Sequence, residues 1–98
     1  MRVFWTPRAK ARLRQIHDYI AQDQPINATR VVDRITRRVE QLTEHPRSGR
    51  VVEYYQRDDL RELIESPYRI IYLVLSARID ILTVRDTRRV LPRRLDEL

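Results

Sequence analysis

Cysteine is missing from this chain, so neither a disulfide framework nor a thiolate metal site can form. That fits a reducing compartment, and the cytoplasm is the expected location. The only histidines, His17 and His45, stand at no ligand spacing. Metal catalysis is therefore not expected, nor is a metal or a cofactor. No apolar run is long enough for a secretory leader or a membrane span, so no membrane role is expected. Glycine occurs once, as Gly49, and lysine once, as Lys10. The 98 residues are expected to form one domain, 1–98, with a modest core.

What the chain does have is arginine. Apart from Lys10, all 20 basic residues are arginine, and the net charge is +6. Such a surface attracts anions: nucleic acid, an acidic protein or an anionic membrane. Basic residues exceed acidic ones by three in 1–24 and by three in 67–98, while 45–66 is one acid in excess. One reading is a surface made for bidentate phosphate or carboxylate contacts. An equal one is the codon bias of a GC-rich genome, since arginine runs through the whole chain.

Bulky, alternating "RVFWT" (2–6) predicts a short strand. Thr6 followed by Pro7 predicts a capped helix start. Ala9, Leu13, Ile16 and Ile20 then recur at helical spacing, for a helix over about 7–22. A second stripe, Ala28, Val31, Val32, Ile35, Val39 and Leu42, predicts a helix over about 25–44. The short link makes the pair an antiparallel hairpin. Pro46 and Gly49 end this part, and a positive φ is expected at Gly49. Strands are predicted at 51–55, 60–65, 68–75 and 79–84, joined by hairpin-length turns. After Pro92 the tail either forms a last helical turn or is loose. The expected fold is α+β: the helical hairpin lies on one face of a mostly antiparallel sheet of about four to five strands.

Segment 68–75 is apolar on both faces. Tyr68, Ile70, Tyr72 and Val74 form one side; Arg69, Ile71, Leu73 and Leu75 form the other. In 79–84, simple alternation puts Ile79, Ile81 and Thr83 opposite Asp80, Leu82 and Val84. The helices can cover one face only, which leaves roughly a few hundred Å² of apolar surface. A protein partner or a second copy is the preferred cover. The alternative is the tail, through Val90, Leu91, Leu95 and Leu98.

The pieces "WTPRA" entering a helix, "LTEHPRSGR" leaving one, "LRELIESPYRIIY" and "IDILTVR" stand in an order and spacing that resembles the ParE/RelE superfamily of type II toxin–antitoxin toxins. The resemblance spans about residues 3–89. It implies a small basic toxin that limits growth, held in a hetero-oligomer by a cognate antitoxin encoded beside it. It also implies that a disordered antitoxin segment folds over the toxin, with Tyr72, Leu73, Leu75 and Leu82 as its contacts. ParE-branch toxins act on DNA gyrase; RelE-branch toxins cleave messenger RNA on the ribosome. The ParE branch is also associated with plasmid stabilisation. For the gyrase reading, Arg85, Arg88 and Arg89 are the expected target contacts. For the ribonuclease reading, the set is Arg61, Arg69, Arg85 and Glu62. Metal-free RNA cleavage needs a base for the 2′-hydroxyl, an acid for the leaving oxygen and cations for the phosphate. The cations are present. Proton-transfer groups are few, because no tyrosine follows Tyr72, no histidine follows His45, and Asp86 follows "TVR" where many relatives carry histidine. Glu53 or Glu62 could act as base only with a pKa raised by burial. Non-enzymatic gyrase inhibition is the preferred expectation. A basic nucleic-acid-binding module without toxicity is a weaker alternative.

Overall fold

The computed structural model describes residues 1–98 in full. Strand β1 (Arg2–Trp5) leads into helix α1 (Pro7–Ala21), then helix α2 (Pro25–Glu40) and a 3-10 turn at Gln41–Thr43. Strands β2 (Arg50–Val51), β3 (Leu60–Glu65), β4 (Tyr68–Val74) and β5 (Arg78–Asp86) follow, with a closing 3-10 turn at Leu95–Glu97. The sheet order is β1-β5-β4-β3-β2. Neighbours are antiparallel except β1, which runs parallel to β5. The two helices on a five-stranded, mostly antiparallel sheet make an α+β fold.

Thr6 ties the layers together. Its hydroxyl accepts the Ala9 N–H at 3.1 Å and donates to the Ile81 carbonyl at 2.8 Å. One side chain therefore caps α1 and anchors the helix start to β5. Pro7 at the first helical position costs no hydrogen bond. The apolar stripes of the helices meet Leu63, Ile70, Tyr72, Ile79, Ile81 and Val84 in the main core.

Three expectations require correction. Segment 51–55 is not a strand: pairing stops at Val51, and residues 53–56 turn, with Gln56 at φ 50°. Gly49 does not have positive φ. Its need is for space, since a Cβ there would lie 2.5 Å from Tyr72 Oη and 2.6 Å from the Glu62 carbonyl oxygen. The third correction concerns β5. Ile71 pairs with Thr83 but Tyr72 pairs with Ile81, so Leu82 is an extra residue. This bulge flips the strand end. Val84 joins the helix-side core, while Thr83 and Arg85 turn to the other face.

The second face is closed mainly by the chain itself. Val52, Leu60, Ile71 and Leu98 form a buried cluster, with Tyr55, Leu73, Leu82, Leu91 and Leu95 against it. The Tyr55 hydroxyl donates to the Pro92 carbonyl at 2.6 Å, and Arg8 donates to the Asp96 and Leu98 backbone oxygens at 2.9 Å each. The tail, the alternative expectation, thus covers much of this face, and Leu73, Leu75 and Leu82 stay half-buried at its margin. Val90 alone among the tail's apolar residues stays open, at 88% exposure.

Candidate functional site

The second face has an apolar end under the tail and a charged end beyond it. Strand register places the charged residues. Arg50 pairs with Glu62 across β2 and β3, Ile64 with Arg69 across β3 and β4, and Arg69 with Arg85 across β4 and β5. Side chains of paired residues share a face, so Arg50, Glu62, Arg69 and Arg85 gather on one side.

Glu62 lies at the centre with its side chain 5% exposed. Arg50 Nε stands 3.1 Å from one carboxylate oxygen, and Arg69 Nε 3.4 Å from the other. A buried carboxylate between two guanidiniums holds both in place, and its removal would leave the largely buried Arg69 charge uncompensated, while Arg50 is exposed to solvent. A cavity of about 590 Å³ opens here, lined by Arg50, Glu62, Arg69, Arg89, Tyr54 and Val90 among others. Arg85 donates to the Val90 carbonyl at 3.2 Å, while its Nε is buried without a partner. Burial lowers the Arg85 pKa, and the neighbouring Arg89 and Arg12 charges add to this. Tyr55 beneath the tail has its phenol pKa raised, first by burial and then by Tyr54.

The residues expected to act together are divided. Glu62, Arg69 and Arg85 do meet. Arg61 faces the helix side, where it donates to the Asp58 and Gly49 carbonyls at 2.9 Å each and to an Asp58 carboxylate oxygen at 2.8 Å. It clamps the loops around β2 and is separated from the other three. Arg88 is 85% exposed and holds Asp86 through both carboxylate oxygens. Those bonds keep the Asp86 pKa at about 2. Arg89 is exposed and its side chain has no partner in the chain. Tyr72 is fully buried under the helices and accepts the Gly49 N–H at 2.9 Å, so it is closed to any partner of the folded chain. Leu73, Leu75 and Leu82 remain half-buried on or beside the tail-covered face. Arg50 and Tyr54 were not expected in the site. Reading 51–55 as a strand hid the turn that brings Tyr54 to it, and Arg50 is placed by its pairing with Glu62.

Fold and site define a small α+β protein with an arginine-lined face built around one buried carboxylate. A family model described as "ParE toxin of type II toxin-antitoxin system, parDE" matches residues 3–91, and the chain belongs to that family. It is 41% identical over 91 residues to "Putative toxin Y4kP" of Sinorhizobium fredii, covering 93% of each chain. It is 37% identical over 89 residues to "Toxin RelE2" of Caulobacter vibrioides, covering 90% of this chain and 97% of that one. Among solved structures, a chain of "Chromosomal ParDE TA system from P. aeruginosa" superposes with a TM-score of 0.75 at 26% identity, covering 88% of this chain and 95% of the other.

Proposed function

We propose that this ParE-family chain is the toxin of a type II toxin–antitoxin pair, that it inhibits DNA gyrase by binding, and that a cognate antitoxin neutralises it. The toxin and antitoxin parts rest on the family description and on the ParDE title of the similar structure. The choice of binding over cleavage rests on one observation: the arginine face is rich in cations, its central carboxylate is tied to guanidiniums, and its other acid, Glu53, is exposed on the cavity wall rather than buried. Its central carboxylate, Glu62, is buried between Arg50 and Arg69. The nearby Tyr55 hydroxyl is committed to the Pro92 carbonyl. His17 lines a groove with Trp5 between the helices, and His45 sits in the turn after α2. Such a face can hold anions but is poorly equipped to move the protons of a transesterification. The antitoxin would contribute an acidic, partly apolar segment over Leu73, Leu75 and Leu82. Arg85, Arg88 and Arg89 would meet the target, and the activity would be cytoplasmic, where gyrase acts on DNA.

A gyrase supercoiling assay run beside primer extension on translated messenger RNA tests this. Loss of supercoiling with intact transcripts is expected. Codon-register cuts with normal supercoiling would establish the second reading, ribosome-dependent cleavage. That reading is favoured by the identity to "Toxin RelE2" and by the Arg69 and Arg85 Nε atoms left without hydrogen bonds.

A further inference from the structure

Between α1 and the ends of β4 and β5 lies a cavity of about 230 Å³. Arg12, Tyr19, Tyr68, Arg85, Asp86 and Arg89 line it. Asp86 is its one carboxylate, and Arg88 occupies both of that group's oxygens. Arg12 and Arg89 bond to no side chain or carbonyl through their guanidiniums, and Arg85 reaches only the Val90 carbonyl. The cavity therefore holds three guanidiniums against one carboxylate that is already paired with Arg88. Their mutual repulsion, added to burial, depresses the Arg85 pKa. An oxyanion would relieve that repulsion.

Size and surroundings narrow the anion. The volume falls below the roughly 300 Å³ usual for a drug-sized ligand, so it suits one group rather than a whole nucleotide. A carboxylate offers two oxygens in one plane and is satisfied by a single guanidinium fork; a tetrahedral phosphate presents oxygens in more directions. Arg89 also lines the larger cavity that contains Arg50 and Arg69. Two basic hollows joined by one arginine suit an anion that repeats along a chain. The Tyr68 hydroxyl has no hydrogen-bond partner within the protein, and burial followed by Asp86 raises its pKa, so its phenol remains a donor at neutral pH. Tyr19 stands at the rim, 77% exposed. An open aromatic ring beside a phosphate site stacks an unpaired base.

We propose that the cavity of Arg12, Arg85 and Arg89 seats one backbone phosphate of a single-stranded nucleic acid, with Tyr19 stacking on an adjacent base. This goes beyond the gyrase reading and shares Arg85 and Arg89 with it, but oligonucleotide binding is read separately from supercoiling.

The test is fluorescence anisotropy of a short labelled oligo-dT with the full chain over a salt series. Arg12→Gln and Arg89→Gln should each weaken binding about tenfold and flatten the logarithmic salt slope by about 0.7. Tyr19→Ala should weaken binding about tenfold with the slope unchanged. Arg12→Lys should keep the slope of the parent chain. Arg30→Gln, an exposed change on α2, should alter affinity less than twofold. The proposal is overturned if Arg12→Gln behaves like Arg30→Gln. It is also overturned if inorganic phosphate shifts the Arg12 and Arg85 Nε–H resonances while oligo-dT does not bind. Arg12-dependent binding of a labelled oligo-glutamate in place of oligo-dT would overturn it as well.

Discussion

A methyl group added at Gly49 would sit 2.5 Å from Tyr72 Oη, 2.6 Å from the Glu62 carbonyl oxygen and 2.8 Å from Tyr72 Cε1. Two of these atoms are a buried phenol's, and one is strand backbone. Gly49→Ala should therefore destabilise by about 1–3 kcal/mol through overpacking, lowering Tm by roughly 4–20 °C. Adding Tyr72→Phe should not rescue it. The carbonyl contact remains, and the Gly49 N–H loses the hydroxyl it donates to at 2.9 Å. Thermal melts of both variants check this; full recovery in the double variant would show that the phenol oxygen alone sets the limit. The lone glycine was legible as a required residue. Its reason was not, because the clash involves Tyr72, distant in sequence and brought close by the sheet.

Among the elements, the helices were the most legible. Periodic stripes and Pro7 and Pro25 marked Pro7–Ala21 and Pro25–Glu40 to within a few residues, because an amphipathic helix writes its own period. The bulge at Leu82 was not legible, since it is a property of the pairing between β4 and β5. It turns Thr83 and Arg85 onto the functional face. Nor could the alternation of β4 decide between a partner and the tail as cover. The tail's contribution can be measured. Ending the chain before Leu91 should uncover Val52, Leu60 and Ile71, which are at most 1% exposed in the full chain. The shortened chain should bind a hydrophobic dye strongly and melt at lower temperature, while the full chain binds it weakly. Equal dye binding by both would mean that the tail leaves this face often in solution.

For the molecule as a whole, tyrosine burial sets an alkaline limit. Tyr72, Tyr68 and Tyr55 all have pKa values raised above 10.0, each chiefly by burial. A group whose pKa rises on folding contributes stability below its unfolded pKa, and that contribution is lost as pH climbs through the folded one. Unfolding free energy should therefore be level in this respect up to about pH 10 and fall above it. Tyr72→Phe, though less stable at neutral pH, should show a shallower decline. Denaturant titrations between neutral pH and about pH 11 provide the measurement, and an unchanged slope in Tyr72→Phe would assign the decline to the other tyrosines. At the acid end, Asp86, held at about 2 by Arg88, loses its pairing only as pH falls below the ordinary carboxylate range.

The sequence by itself determined the α+β class, the helical hairpin, the strand run from Leu60 to Asp86 and an arginine-rich surface in want of anions. Each follows from local periodicity, capping or composition, which neighbours in the chain express without help. Tertiary structure alone decided which arginines remain free. Arg61 is consumed by Asp58 and the Gly49 carbonyl, Arg88 by Asp86, and Arg50 and Arg69 by Glu62. Arg12, Arg85 and Arg89 are left around one hollow whose single acid, Asp86, is already held by Arg88. An arginine's role depends on the carboxylate that folding brings within reach, and strand register and a single bulge set that distance.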